Sequence, residues 1–257
     1  MKILYFTSTG NSLYVAKRIG GELLSIPQLE KDREYNVFAD AVGIVVPIYG
    51  FDVPRLVRAY LNRVNIRAPY VFAIMTYGDW PMAATVQMAK LLKKRDIPLH
   101  YTNEIDMVDN YLPGYEVAKQ LEKKQEPTIE AAIDRVVEDI NNRKRALLHK
   151  GMAAKAISAG LSAAVRSGLG KRVMNSSAKK FRVQEHCNGC GICQKVCPMG
   201  NILVEGRPMY LDKCEFCLAC THLCPQNAIG LKGEKSAARF RNPHVSLAEI
   251  IAANNQG

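Results

Sequence analysis

Eight cysteines fall into two copies of one spacing: Cys187, Cys190, Cys193 and Cys197 followed by Pro198, and Cys214, Cys217, Cys220 and Cys224 followed by Pro225. Thiolates are soft ligands, and three cysteines at two-residue intervals can cap three iron corners of a cubane from one loop. The fourth corner needs a ligand from elsewhere. Disulfides would call for an oxidising compartment, and the N-terminal MKILYF reads as a strand with no apolar leader. Paired zinc sites close on two C-x-x-C hooks, which leaves the third cysteine of each run superfluous. The doubled spacing therefore points to two [4Fe-4S] clusters.

A second constellation, Thr7-Ser8-Thr9-Gly10-Asn11-Ser12, follows the apolar run KILYF. Thr7, Thr9 and Ser12 offer hydroxyl donors, and Gly10 permits a backbone conformation other residues resist. A helix starting near Asn11 would aim free N–H groups and its positive dipole end outward. With no Lys or Arg in this loop, a phosphate monoester would be held by dipoles and hydroxyls. The same residues also describe an ordinary turn with a helix cap, and the sequence leaves both readings open. Two further segments, Pro47-Ile48-Tyr49-Gly50-Phe51 and Tyr77-Gly78-Asp79-Trp80, set aromatics beside glycine. An aromatic face can stack on a planar ring while the glycine lets backbone approach the ring edge, although strand-end aromatics also serve as core caps. Asp79 reads equally as a turn residue. No G-x-G-x-x-G occurs, so a nicotinamide dinucleotide site is not expected.

The elements that must position these loops alternate. Strands are expected over residues 2–6, 41–46, 70–76 and 99–108, and helices over 11–24, 53–64, 81–95 and 127–149. Strands that are apolar throughout belong in a parallel sheet covered on both faces. Such doubly wound sheets bind ligands beyond the carboxyl ends of their strands, where the three loops fall.

The loop at Thr7–Ser12 resembles the phosphate loop of flavodoxins, and the PIYG and YGDW segments correspond to the loops that flank the flavin ring in those proteins. Together with the doubled cysteine run, the pattern up to about residue 232 resembles the family of fused flavodoxin–ferredoxin proteins. The resemblance implies a flavodoxin-like doubly wound parallel sheet with strand order 2-1-3-4-5 and a small α+β ferredoxin-like domain holding two [4Fe-4S] clusters. It implies FMN as cofactor, with Thr7, Ser8, Thr9, Gly10, Asn11 and Ser12 at the phosphate and Pro47, Tyr49, Gly50, Tyr77, Gly78 and Trp80 at the ring. In two-cluster ferredoxins the fourth cysteine of each run serves the other cluster. Carried over, Cys187, Cys190, Cys193 and Cys224 hold one cluster, and Cys214, Cys217, Cys220 and Cys197 the other. One departure stands out: Leu218 follows Cys217 where Gly191 follows Cys190. His186 and His222 lie beside cysteines and read mainly as structural residues; with eight thiolates present neither is needed as a ligand, and a hydrogen bond to a cluster sulfur is the lesser alternative.

The net charge of +11 sits in one segment: Arg143 to Arg182 holds eleven basic residues and no acidic one, leaving 24 basic against 24 acidic residues elsewhere. Within it Ile157, Leu161, Val165, Leu169 and Val173 recur every four residues, an apolar stripe on a small-residue helix with Arg166, Lys171 and Arg172 off the stripe. This reads as a linker helix packed on one domain. A basic helix also suits an anionic membrane surface or an acidic redox partner. Nucleic acid is not expected, since Phe181 is the segment's one aromatic. The expected organisation is 1–149 flavodoxin-like, 150–181 basic linker, 182–232 ferredoxin-like, and 233–257 an exposed tail with a short helix from Ser246. No window reaches the apolar length of a membrane span, and a cytoplasmic, anaerobic setting is expected. The functional expectation is electron transfer between the clusters and FMN, coupling one- and two-electron steps. Its alternatives are a flavin-dependent reductase of a small organic acceptor and an iron–sulfur redox sensor.

Overall fold

The structure is a computed structural model that describes residues 1–170 and 177–257. Its N-terminal half is built on five parallel strands: β1 (Lys2–Tyr5), β2 (Glu22–Ser25), β4 (Ala41–Pro47), β6 (Tyr70–Tyr77) and β7 (Tyr101–Asp106). They lie in the order β2-β1-β4-β6-β7. A separate parallel pair, β3 (Asn36–Phe38) and β5 (Asn65–Arg67), stands apart. Alternate strand residues feed two cores. Ile3, Tyr5, Val45, Phe72 and Ile74 pack against α1 (Asn11–Ile19) and α6 (Glu126–Asn141). Leu4, Phe6, Ile44, Val46 and Met75 face α2 (Ile26–Asp32), α3 (Arg55–Leu61) and α4 (Ala84–Lys93). Because both faces are covered, β4 and β6 are apolar along nearly their whole length.

Several expected boundaries shift for local reasons. The helix expected over 11–24 ends at Ile19, because Gly20 and Gly21 turn through φ 83 and 97 and the chain enters β2 beside β1. A Cβ on Gly21 would meet the Met1 carbonyl at 2.8 Å. The helix expected to run to residue 149 stops at Asn141, where Arg143 reverses the chain at φ 47 and Ala146 then pairs with Tyr101. A short helix, α5 (Val117–Lys123), precedes it.

The linker helix α7 (Met152–Arg166) packs on α4, but with a different face from the apolar one expected. Ser158 and Ser162 are fully buried, whereas Ile157, Leu161 and Leu169 are exposed. The reason is polar: the Ala83 N–H at the start of α4 has no acceptor within its own helix and donates to Ser158 Oγ at 2.9 Å. Ser162 donates to the Asp52 carboxylate, which also pairs with Arg58. The side chains of Val165 and Arg166, together with Lys171, Arg172 and Val173, lie outside the described residues.

The cysteine-rich part contains two antiparallel pairs, β8 (Phe181–Val183) with β11 (Ile229–Leu231) and β9 (Ile202–Glu205) with β10 (Arg207–Tyr210). One turn of helix follows in each run, α8 (Ile192–Lys195) and α9 (Ala219–His222). The C-terminal segment is not an exposed tail. Phe240, Asn242, Val245, Ile250, Ala253 and Asn254 are buried, and Val245, Ile250 and Ala253 join Val196, Ala219 and Leu223 in the core beneath α1. Its helix α10 (Leu247–Asn254) opens on a capping box between Ser246 and Glu249. Lys17 and the Ser246 cap pull the Glu249 carboxyl down to about 2.

Candidate functional site

The Thr7–Ser12 loop is shaped by glycine and braced from behind. Gly10 sits at φ 106, and a Cβ there would lie 2.9 Å from Asn242 Cβ and 3.0 Å from Val245 Cβ. The C-terminal segment grips the loop backbone: Asn242 N–H donates to Thr9 O at 2.8 Å and Asn254 Nδ2 to Thr7 O at 3.0 Å. Thr7, Ser8, Thr9 and Ser12 are all buried. Thr7 Oγ1 accepts from Gly10 N (3.1 Å), Ser8 Oγ from Tyr49 OH (2.9 Å) and Thr9 Oγ1 from Asn110 Nδ2 (2.6 Å). A hydroxyl that accepts keeps its own O–H to give. Three such donors stand beside the first turn of α1, whose amides lack intrahelical acceptors. Ser12 is spent differently, on Thr76 Oγ1 at 2.8 Å.

Loops after β1, β4, β6 and β7 converge on a cleft of about 740 Å³, within the ~300–1,000 Å³ usual for small-molecule sites. Thr7, Ser8, Thr9, Asn11, Ser12, Pro47, Tyr49, Gly50, Tyr77, Gly78 and Trp80 all line it. Gly10 does not, and acts behind the wall. Tyr49 to Asp52 form a tight hairpin, with Gly50 and Phe51 at φ 56 and 65 and reciprocal backbone bonds between Tyr49 and Asp52. The Tyr49 ring meets Phe6 edge-on, and burial pushes its phenol well up. Gly78 is required by space, since a Cβ would lie 2.1 Å from Asp109 Oδ2. Its carbonyl accepts from Lys124 Nζ at 2.6 Å. Asp79 is held by Lys123, whose hydrogen bond lowers the carboxyl. Burial raises the carboxyl of Asp109, which packs against Gly78. Trp80, 66 % exposed, stands at the mouth.

The cysteines gather across the two runs. Cys187, Cys190 and Cys193 surround one small cleft together with Cys224. Cys197 instead neighbours Cys214, Cys217 and Cys220. Burial pushes the Cys193 thiol up to about 11 and raises Cys197, Cys214, Cys217 and Cys220 as well. Buried thiols of this kind become thiolates when a metal takes the proton's place. Backbone N–H groups of Asn201, Phe216 and Ala228 donate to the sulfurs of Cys197, Cys214 and Cys224, each at 3.3 Å. Both neighbouring histidines are engaged by backbone groups. His186 Nε2 meets Gln226 O at 3.1 Å; His222 donates from Nε2 to Asn110 O (2.7 Å) and accepts from Phe240 N–H at Nδ1 (3.1 Å).

Other residues line the cleft without any sequence signal that they would. Val108, Asp109, Asn110 and Tyr111 come from the loop after β7, where no glycine or hydroxyl pattern marks a site. Glu215, Phe216, Cys217 and Leu218 arrive from the second cysteine run, some 200 residues from the Thr7 loop, and complete the same wall. The Leu218 departure has a structural basis. Gly191 and Leu218 occupy equivalent left-handed positions, φ 76 and 61, before α8 and α9. A Cβ on Gly191 would meet open space, whereas Leu218 is 2 % exposed and packs with Val108, Leu112, Val117 and Phe240.

Residues 182–203 match the family model described as 4Fe-4S binding domain. A 48-residue stretch, 18% of this chain, is 46% identical to one of the subunits of an ion-translocating oxidoreductase complex from Methanosarcina acetivorans. The chain spans only 18% of that relative's length. Among solved structures, the Trp repressor binding protein of Bacillus subtilis aligns at TM-score 0.36 and 10% identity over 52% of this chain and 95% of its own. A protein of Bacteroides eggerthii described as a flavoprotein aligns at 0.33 and 15% identity over 52% and 96%. These scores are too low to bear on the fold. What the cysteine run and the matched model establish together is an iron–sulfur binding domain in the C-terminal part of the chain.

Proposed function

We propose that this protein transfers electrons between two [4Fe-4S] clusters and an FMN held in the cleft above β1, β4 and β6. One observation carries the reading: Cys217, a cluster ligand by its spacing, lines the same cleft as the Thr7–Ser12 loop. The order of the main sheet, 2-1-3-4-5 when counted over its own five strands, supports a flavodoxin-like reading. The cleft fits FMN in size and in donor set. Thr7, Ser8 and Thr9 supply O–H donors and α1 its positive end to a phosphate, while Pro47–Gly50 and Tyr77–Trp80 form walls for the ring. Bound flavin would add a carrier able to exchange one electron or two beside clusters that pass one at a time.

The chain's residues exclude water and fix geometry. Tyr49 ties the ring loop to Ser8, and Lys124 holds the Gly78 carbonyl in place. The crossed cysteine sets are the cluster ligands in this reading, with the three N–H donors stabilising their thiolates. No helix among the described residues is long and apolar enough to cross a membrane. The basic linker favours an acidic redox protein as partner. Anaerobic purification followed by iron, acid-labile sulfide and flavin assays on one sample tests the proposal. Two cubanes and one phosphate loop predict about eight iron and one FMN per chain. Iron without flavin refutes the cleft reading; zinc in place of iron refutes the cluster reading.

A further inference from the structure

The two cysteine sets stand differently toward the cleft. The small cleft bounded by Cys187, Cys190, Cys193 and Cys224 shares no lining residue with the large one. The other set does contribute to it: Glu215, Phe216, Cys217 and Leu218 are wall residues, and they span the interval between ligands Cys214 and Cys220.

This short segment is hooked to every neighbouring wall. Glu215, fully buried, accepts from Arg55 N (2.7 Å) and Leu56 N (3.4 Å) and so caps α3, directly after the Tyr49–Pro54 loop. Arg55 also donates to Cys214 O. Phe216 meets Tyr111 of the β7 loop edge-on at 6.2 Å, and Leu218 inserts beside Val108. Behind the phosphate loop, Asn254 Nδ2 donates both to Thr7 O (3.0 Å) and to Val196 O (3.4 Å), one residue before Cys197. The segment is also strained. Phe216 and Leu218 are both left-handed, φ 56 and 61, a conformation non-glycine residues keep only where the surroundings enforce it.

We propose that residues 215–218 belong to the flavin-binding site, and that metal bonds to Cys214, Cys217, Cys220 and Cys197 hold them there. Flavin affinity then follows the loading of this cluster alone. The inference rests on the reading that the large cleft takes FMN. With four ligand bonds the strained segment is pinned against α3 and the β7 loop; without them Phe216 and Leu218 can relax and one wall of the cleft is lost. The chemistry specified is that of an isoalloxazine ring with a phosphate tail, seated partly on the cluster loop.

FMN titration of anaerobic holoprotein, read by fluorescence quenching, tests this with single-ligand variants. Cys214→Ala, Cys220→Ala and Cys197→Ala, none of which alters a residue lining the large cleft, should weaken FMN binding by roughly tenfold or more. Cys187→Ala, Cys190→Ala and Cys224→Ala should stay within about twofold of wild type. Equal effects from the two sets, or none from either, overturn the proposal. Wild-type holoprotein that binds no FMN overturns the cleft reading itself, whereas FMN bound equally by all variants overturns only the coupling. A measurement on wild type guards against variants that fail to fold. Added FMN should slow chelator extraction of half the iron, and extraction of all or none of it slowed refutes the inference.

Discussion

Leu218→Gly restores the residue that the first cysteine run carries at the equivalent position, and it should nevertheless destabilise the protein. Three terms compete. Removing a Cβ from a left-handed backbone relieves about 1–2 kcal/mol of steric cost. Deleting a leucine side chain that is 2 % exposed costs about 2–5 kcal/mol in lost burial and residual cavity. The freedom glycine gains in the unfolded chain costs a further ~0.5–1 kcal/mol. At the centre of these ranges the packing loss wins, for a net destabilisation of about 3 kcal/mol. For a chain of this size that corresponds to a fall of roughly 5–15 °C in the thermal midpoint of anaerobic holoprotein. The mirror substitution Gly191→Leu provides the control. It adds the left-handed cost without a clash, since nothing lies within 4 Å of its Cβ, so its penalty should be only about 1–2 kcal/mol. A Leu218→Gly protein as stable as wild type would refute the argument that the leucine is kept for the contact between the two parts of the chain. So would a Gly191→Leu loss of equal size.

Gly10→Ala combines a left-handed penalty of about 1–2 kcal/mol with overlap against Asn242 and Val245 worth about 1–3 kcal/mol. Any relief by backbone movement displaces Thr9 and Asn11, so FMN binding should weaken about tenfold or more; an unchanged affinity would contradict the packing described. Ser162→Ala removes a buried hydrogen bond to the Asp52 carboxylate, worth about 1.5–3 kcal/mol. Hydrogen exchange in α7 should then rise about tenfold or more while the sheet amides stay protected. His100 Nδ1 accepts from Val71 N–H at 2.9 Å, and burial lowers the imidazole pKa from its ordinary 6.5. The unfolded chain therefore binds this proton more readily. The stabilisation is fully present above pH 6.5 and is lost as pH falls through the lowered folded value. His100→Gln should narrow the difference in thermal midpoint between pH 7.5 and pH 5.5, and an unchanged difference would assign that slope to other groups.

Chemistry set by short-range spacing was readable without coordinates. Cysteines two residues apart share a loop whatever surrounds them, and a strand, a glycine turn and a helix in succession must bring Thr7 to Ser12 to a sheet edge. The strands β4 and β6 were legible for the same reason, since a run apolar on both faces has one place to go. β2 was hidden because a four-residue strand after a Gly-Gly turn carries too few side chains to show a period. The linker helix displayed its apolar stripe in sequence yet buried Ser158 and Ser162, because an orphan N–H of α4 and the Asp52 carboxylate needed partners. Nothing local distinguishes the C-terminal segment from a solvated tail; Asn242 and Asn254 matter only because they meet Thr9 and Thr7 more than 200 residues away. The wall shared by Cys217 and the Thr7 loop is of the same kind. The cysteine spacing by itself determined the type of metal centre, since thiolate number and reach are covalent facts. Only the tertiary structure decided which of the two cysteine sets touches the cleft, because that depends on burying Leu218 against Val108 and Phe240, contacts between segments that share no sequence period.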